Sequence, residues 1–283
     1  MKAGLYLSLC LSMCSVAAAQ SIGPRNEFKG RVKTIIIDLE YLDETGNPDA
    51  RGRHLSGLRS FDSRGNLTMS EDFYIYGKAS YGRDTFSYDA AGRIVEKIHE
   101  INGFTYKTTY SYDDQGRLIR EDRQSPADFV IRYFYDEQSR LKEARRSWGG
   151  TDDGRQVLSY DLNGRLVRRV TYDARGSVSD EEKRVYNPEG RLTSEIRGHL
   201  TIMYDSRGFV ITEIRDHGKT AYEYNSNDLI LKKEEYDDKG LTSTYLYEYE
   251  YDEKGNWIIQ TTTMTHRAEG RQVWKEYRTL TYY

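Results

Sequence analysis

The sequence is short of cysteine, proline and long apolar runs, and each shortage excludes a class of protein. Only 2 of its 283 residues are cysteine and 4 are proline. Both cysteines, Cys10 and Cys14, precede Gln20. Without that leader the chain has no disulfide and no thiolate for a metal. Beyond the leader, no apolar run reaches the roughly 20 residues that a membrane-spanning helix requires.

The leader has the pattern of a secretory signal peptide. Met1-Lys2 gives a positive start, an apolar run follows from Gly4 to Cys14, and Ala17-Ala18-Ala19 is a small-residue cleavage site. We therefore predict removal of residues 1–19, with cleavage after Ala19. Export would place the mature chain in the periplasm, on the cell surface or outside the cell.

Neither sign of charge dominates. The chain carries 42 Lys and Arg against 45 Asp and Glu, interleaved along the sequence, for a net charge of -3. Because no basic patch stands out, we predict no nucleic-acid partner. Leu166 and Arg168 fall on one predicted strand face, and Arg165 and Arg169 fall on the other. Charge on both faces predicts that the chain does not span a membrane after signal removal.

Tyrosine and glycine are abundant, at 25 and 24 residues, and they belong to a repeated motif, aromatic-Asp-x-x-Gly-Arg-Leu. Tyr110 to Leu118 contains one copy. Spacings of 18 to 27 residues between copies fit a unit of two strands and two turns. The aromatic-acid pairs are Phe61-Asp62, Tyr88-Asp89, Tyr112-Asp113, Tyr135-Asp136, Tyr160-Asp161, Tyr186-Asn187, Tyr204-Asp205, Tyr224-Asn225 and Tyr251-Asp252.

Each motif position has a structural reason in a tight turn. The acid can bond the backbone two residues on, and glycine accepts the positive φ that such a turn demands. Asp113 should then face Arg117 across the turn as an ion pair, next to an aromatic-aliphatic pair. Ser139 and Asp228 replace the glycine in two copies. Because Asp tolerates positive φ better than Ser, we expect the Ser139 turn to be the more distorted.

The turns divide between two edges of the predicted sheet. A second turn signal separates successive motif turns, so the motif turns should share one edge. Two further copies, at Tyr172 and Tyr236, come only 12 residues after Tyr160 and Tyr224. One strand separates each from the preceding motif turn, so these copies should turn at the opposite edge.

The period of two predicts the faces of the strands. On this pattern Tyr110, Tyr112, Leu118 and Arg120 share one face, whereas Glu121 lies on the other. The same division in other repeats makes one face consistently aromatic and aliphatic.

About 20 strands are expected in an all-β, antiparallel meander of β-hairpins. We predict N-terminal capping strands over 20–60, with a turn-rich segment from Asp43 to Arg53, a repeat sheet over 61–257 and a C-terminal capping hairpin over 258–283. The preferred architecture is one large sheet, open and strongly curved or spiralled, that packs its tyrosine face against itself. The alternative is a two-layer β-sandwich.

These copies resemble the YD-repeat, or Rhs-repeat, family, and the resemblance runs from roughly Phe61 to Trp257. The whole chain is similar to small exported bacterial members made of repeats only. In large members the repeats build an antiparallel sheet that spirals into a hollow shell. The resemblance therefore implies a shell-like sheet, and it raises carbohydrate contact as a possible role.

Catalytic patterns are absent from the sequence. It has no Gly-x-Ser-x-Gly, no His-Glu-x-x-His and no glycine-rich phosphate loop, and its 5 histidines are scattered. Acid pairs such as Asp152-Asp153 fit turn caps better than a cation loop. We predict no enzyme activity, no catalytic residues, no cofactor and no metal site.

The aromatic strand near the C-terminus is the best candidate for ligand binding. Tyr247, Tyr249, Tyr251 and Trp257 should share one face, where rings can stack on sugars or form core. We predict an exported binding or scaffolding sheet whose partner is a glycan or an envelope protein. The alternatives are a carbohydrate-active hydrolase and a component of a toxin or immunity system. Because folding explains the motif, function should lie where copies differ: in the non-motif turns, in the short spacing from Tyr186 to Tyr224, and in these strands.

Overall fold

The computed structural model describes residues 28–43, 45–73, 80–124 and 128–283. These ranges contain 20 β-strands and no helix. They therefore contain no helix long and apolar enough to cross a membrane. The predicted signal peptide lies outside them. The strands are β1 Val32–Leu42, β2 Pro48–Phe61, β3 Leu67–Phe73, β4 Ser80–Tyr88, β5 Ile94–Ile101, β6 Phe104–Tyr112, β7 Leu118–Gln124, β8 Phe129–Tyr135, β9 Leu141–Trp148, β10 Thr151–Tyr160, β11 Leu166–Tyr172, β12 Val178–Tyr186, β13 Leu192–Arg197, β14 Leu200–Tyr204, β15 Val210–Arg215, β16 Gly218–Tyr224, β17 Ile230–Asp237, β18 Gly240–Tyr251, β19 Trp257–His266 and β20 Gly270–Tyr282.

The sheet closes on itself. Each strand pairs antiparallel with the next, and β20 pairs with β1 from Tyr282 opposite Val32 to Val273 opposite Leu42. The prediction of an all-β meander of hairpins in one large sheet is confirmed. The expectation of an open sheet was wrong, and the sandwich does not form, because closure satisfies the backbone groups of both edge strands.

The two ends of the barrel carry different turns. The turns after even-numbered strands form the motif rim, and those after odd-numbered strands form the variable rim. The copies beginning at Tyr172 and Tyr236 lie on the variable rim, so the prediction that they turn at the opposite edge is confirmed. The motif rim has turns at 62–66, 89–93, 113–117, 136–140, 161–165, 187–191, 205–209, 225–229 and 252–256.

The motif arginine links one hairpin to the next. Within its own turn, Arg117 Nε donates to Asp113 Oδ2 at 2.7 Å, which confirms the predicted ion pair. Its guanidinium carbon also lies 4.7 Å from the ring centroid of Tyr135 in the following motif. The Tyr135 hydroxyl donates back to the Leu118 carbonyl at 2.7 Å. The motif therefore fastens neighbouring hairpins together as well as making the turn.

A β-bulge follows every motif turn and changes the predicted faces. Tyr112 stands opposite Leu118 and Ser111 opposite Arg120, which leaves Ile119 as the extra residue. The bulge shifts the alternation by one residue. The prediction that Arg120 shares the tyrosine face was therefore wrong, and Glu121 lies there instead. By the same shift at Val167, Arg169 joins the face of Leu166 and Arg168 moves to the opposite face.

The tyrosine face is the inner face of the barrel. Along β8, Phe129, Ile131 and Tyr133 are buried whereas Arg132 and Phe134 are exposed. No second layer covers the barrel within the described ranges, so most buried side chains face the lumen, although Val170 and Val273 are buried on the outer face. Twenty strands at about 4.8 Å spacing form a ring about 30 Å across. The described residues include 10 buried apolar side chains, and the largest fully buried side chain of any kind is that of Thr262. The lumen is therefore lined rather than close-packed.

The predicted N-terminal segment is more regular than its composition indicates. The turn-rich segment predicted from Asp43 to Arg53 is confined to a turn at Asp43 and 45–47, because Asp43 N–H donates to the Asn47 carbonyl as in a motif turn. Strand β2 begins immediately afterwards, at Pro48. Since β1 pairs with β20, the segments predicted as opposite caps lie side by side.

The two turns that lack the motif glycine adopt the same geometry. Ser139 and Asp228 have φ of 60° and 62°, with turn bonds of 3.0 and 3.1 Å, so the expected extra distortion at Ser139 was wrong. Both residues keep the turn geometry at the cost of backbone strain, because a left-handed conformation costs most residues about 1 kcal/mol or more. We expect Ser139→Gly to raise the free energy of unfolding by about 1 kcal/mol and Asp228→Gly to raise it by less. Urea unfolding measures both, and no gain for Ser139→Gly would contradict the prediction.

Candidate functional site

The four predicted ligand-binding aromatics lie together on the inner face of β18 and β19. Trp257 stands opposite Tyr251, as predicted, while Tyr249 faces Gln260 and Tyr247 faces Thr262. The pleat places every second residue on this face, and the bulge at Ile258 brings Gln260 rather than Ile259 onto the face of Trp257. The candidate site is therefore part of the lumen wall.

Neighbouring side chains already occupy part of this aromatic surface. Arg278 from β20 lies 3.3 Å from the Trp257 ring centroid, and the rings of Tyr249 and Trp257 meet edge to face at 5.8 Å. The Tyr249 hydroxyl donates to the Ile230 carbonyl at 2.8 Å. Burial raises the pKa of Tyr247 to about 12. Arg278 and the edge of Tyr249 therefore already cover part of the Trp257 ring.

Pairs of glutamate and tyrosine recur around the lumen wall. In each pair a tyrosine hydroxyl donates to a glutamate on the preceding strand, as in Tyr204 to Glu195 at 3.0 Å and Tyr222 to Glu213 at 3.2 Å. Burial, followed by the Glu213 charge, raises the pKa of Tyr222 to about 12. The further pairs are Tyr133 with Glu121 and Tyr245 with Glu235. They present fixed polar groups to the lumen.

Arginines and lysines complete this polar wall. Arg184 Nε lies 2.8 Å from Glu182 Oε1 and 2.9 Å from Glu195 Oε1. Lys233 Nζ lies 2.6 Å from Glu235 Oε1. These inward acids are bonded to a base or a tyrosine, so the wall offers hydrogen-bonding groups rather than free carboxylates.

Glu121 is the most buried of these acids, at 5% exposure. Burial raises its pKa above the ordinary value, against the Tyr133 hydrogen bond and the Arg123 charge. A carboxyl whose pKa is raised by folding contributes stability when protonated, and that contribution is lost as pH rises through the unfolded value toward the folded one. Keeping Glu121 ionised near neutral pH therefore costs stability.

We expect Glu121→Gln to be more stable than the parent at neutral pH, because glutamine keeps an acceptor for Tyr133 without a charge. The difference should shrink as pH falls toward about 4, where the unfolded carboxyl also becomes protonated. Urea midpoints across this range measure it. Glu143→Gln on the outer face, which breaks the 2.6 Å pair with Arg145, should give no gain. A less stable Glu121→Gln at neutral pH would contradict the prediction.

The variable rim holds a cavity of about 600 Å³, at the short repeats between Tyr186 and Tyr224. It opens where the turns at 198–199 and 216–217 meet β16 and β17. Its basic side chains are Arg197, His199, Arg215, His217 and Lys219, and the other lining residues are Leu200, Asp216, Gly218, Thr220, Glu235 and Tyr236.

No described group of three or more His, Cys, Asp or Glu side chains could hold a metal ion. His54 and His99 line the inner face, but His99 bonds Asp84 at 2.8 Å. Among the rim histidines, His199 Nδ1 lies 3.0 Å from Asp216 Oδ1 and His217 Nδ1 lies 3.2 Å from Asp238 Oδ2. The absence of metal and cofactor sites stays a prediction.

Residues 49–201 match the family model described as the teneurin YD-shell, which covers more than half of the 283 residues. The chain belongs to the teneurin YD-shell family. The resemblance drawn from the repeated motif is thereby confirmed. No curated protein matches this YD-shell chain closely enough to count as a relative.

Solved structures similar to this YD-shell chain include toxin complexes and a porin-like protein. TcdB2-TccC3-TEV shares 15% identity over 80% of this chain, with a TM-score of 0.35. The Photorhabdus luminescens Tc holotoxin pore shares 14% over 82%, also at 0.35. This chain spans only 15% and 14% of those chains. The porin-like protein from Bacteroides uniformis shares 12% over 88% of this chain and 98% of its own, at 0.40. Similarity at these TM-scores gives no information about the function of this chain.

Sequence reasoning found the aromatic residues of the YD-shell wall but missed their polar partners. Arg278 covers Trp257, and Gln260 donates to the Tyr249 hydroxyl at 3.1 Å. Alternation in β20 could have placed Arg278 with Trp274 and Leu280 on one face. The pairing of Glu121 with Tyr133 could not be predicted from alternation, because the bulge after Leu118 moves Glu121 to the lumen face.

Proposed function

We propose that this YD-shell protein is exported and non-enzymatic, and that it binds a glycan in its barrel lumen, in the cell envelope or outside the cell. One observation carries the proposal. The inner face combines aromatic rings at Tyr247, Tyr249 and Trp257 with fixed polar groups such as Gln260, on the inside of a ring of strands about 30 Å across. Sugars have apolar ring faces and polar rims, and such a wall offers partners for both.

The closed sheet favours a glycan over an extended peptide. Peptides commonly bind sheets by adding a strand at a free edge. Every described strand of this barrel is paired on both sides, including β1 with β20. An extended peptide would therefore have only side chains to bind.

The arrangement of the acids supports a binding role over hydrolysis. A glycosidase requires two carboxyl groups about 5 to 10 Å apart that converge on one bond. The inward acids here, such as Glu182 and Glu195, are bridged by Arg184. Carboxylates held in ion pairs are poor candidates for a general acid and a nucleophile.

Tryptophan fluorescence tests the proposal directly. The sequence has 3 tryptophans, and Trp257 lies on the candidate wall whereas Trp148 is 53% exposed at the variable rim. We expect oligosaccharide fragments of envelope polysaccharides to change the emission of the exported protein. Trp257→Phe should abolish most of that change, and Trp148→Phe should leave it.

Alanine variants separate a binding wall from a merely structural one. Tyr247→Ala should weaken binding about tenfold or more if the ring stacks on sugar. If the parent protein binds no polysaccharide and Tyr247→Ala or Tyr249→Ala unfolds at a much lower temperature, the aromatic face serves only the barrel wall. A change in emission that survives Trp257→Phe would also contradict the proposed site.

A further inference from the structure

The wall of the barrel is lowest at the variable rim beside β14. Measured from the motif rim, β12 has 9 residues, β14 has 5 and β18 has 12. A difference of four residues lowers the wall by roughly 13 Å at about 3.3 Å per residue. The short repeats thus form a notch in the barrel mouth, and the 600 Å³ cavity lies in it.

Each of two arginines in this notch is held in place by an ion pair with an acid that lies outside the cavity. Arg197 Nε lies 2.7 Å from Asp180 Oδ2, and Arg215 Nη2 lies 2.8 Å from Glu213 Oε2. Neither acid lines the cavity. Each ion pair engages one nitrogen of a guanidinium that has five N–H donors, so further donors remain for a ligand while the acid fixes the side chain's orientation.

The acids that do line the cavity are already engaged. Asp216 lies 3.0 Å from His199, and Glu235 lies 2.6 Å from Lys233. Lys219 and Tyr236 border the cavity from the outer face, where Lys219 Nζ lies 4.4 Å from the Tyr236 ring centroid. With Asp180 and Glu213 counted, the charges around the notch balance, so the preference for an anionic group rests on the unused guanidinium N–H donors of Arg197 and Arg215.

We propose that this notch binds the carboxylate of an acidic sugar, so that the barrel selects uronic-acid-bearing glycans at its mouth. Arg197 and Arg215 would receive the carboxylate, because the planar guanidinium matches carboxylate geometry. Leu200, on the same face as Arg197, supplies an apolar contact for the sugar ring, and the volume is that of a ligand pocket. The inference rests on the proposed function, since it names the class of glycan.

Short oligogalacturonates and their methyl esters test the notch, because the ester keeps the sugar rings and removes the charge. By titration calorimetry we expect the exported protein to bind the acid form about tenfold or more tighter than the ester. Arg197→Gln and Arg215→Gln should each abolish that preference. Arg215→Lys, which keeps the charge but loses the fork, should retain only part of it.

Arg145→Gln is the matched control. Arg145 is 55% exposed and pairs with Glu143 at 2.6 Å, two residues away, much as Arg215 is 57% exposed and pairs with Glu213. This variant should keep the preference, and melting temperatures show whether each variant is folded.

Three outcomes would overturn the notch. Equal binding of acid and ester, or a preference unchanged in folded Arg197→Gln and Arg215→Gln, would remove the notch and leave glycan binding in the lumen intact. Binding of neither form would also overturn it, and the Trp257 fluorescence test then decides whether the proposed function fails as well.

Discussion

Asn256→Ala is expected to lower the free energy of unfolding by roughly 2 to 4 kcal/mol, because three hydrogen bonds made by one buried side chain are lost together. Asn256 is 3% exposed. Its Oδ1 accepts from the Lys29 N–H at 2.6 Å, and its Nδ2 donates to the Lys29 carbonyl at 2.8 Å and to the Tyr282 hydroxyl at 2.9 Å. One side chain thus joins the segment before β1, the end of β20 and the turn between β18 and β19.

The position of these bonds increases their effect. They lie where β1 and β20 close the barrel, and alanine would leave the Lys29 backbone and the Tyr282 hydroxyl without this partner. Opening here would also expose two strand edges, which promotes aggregation.

Urea unfolding followed by circular dichroism measures the loss. Asn163→Ala makes the same chemical change in an exposed motif turn between β10 and β11, and it should change stability by less than about 0.5 kcal/mol. If Asn256→Ala falls within that range, Asn256 does not hold the closure together.

The local devices of this fold could be predicted from sequence, whereas closure could not. Asp113, Gly116 and Arg117 act within one turn, so spacing and side-chain chemistry predicted their contacts. The pairing of β1 with β20 joins residues about 250 positions apart, as in Val32 opposite Tyr282. A repeat pattern does not predict whether the first and last strands pair with each other.

The prediction of the strand faces was partly wrong for a different reason. Strict alternation predicted Tyr110 and Tyr112 correctly but reversed Arg120 and Glu121, because one bulged residue, Ile119, shifts the period. The aromatic candidates escaped this error because Tyr247, Tyr249 and Tyr251 precede their motif turn. The charged residues of the lumen wall could not be placed in this way. Glu121 and Arg169 follow a bulge, and Glu182 stands opposite Arg169.

Gly154→Ala is expected to destabilise the barrel by roughly 3 kcal/mol, because it combines backbone strain with a backbone clash. Gly154 has a φ of +127°, and a Cβ there would lie 2.5 Å from the Tyr172 carbonyl oxygen. That oxygen belongs to the end of β11, beside the motif copy that turns on the variable rim. The close approach of β10 therefore requires a residue without a side chain.

Gly103→Ala separates strain from clash. Gly103 also has a positive φ, +78°, but nothing lies within 4 Å of its added Cβ. It should lose only about 1 to 2 kcal/mol, the cost of the left-handed conformation. The difference between the two variants in urea unfolding then measures the clash at Tyr172. Equal losses would mean that β10 can move away from β11 at little cost, and that the barrel wall is more compliant at this point than its register indicates.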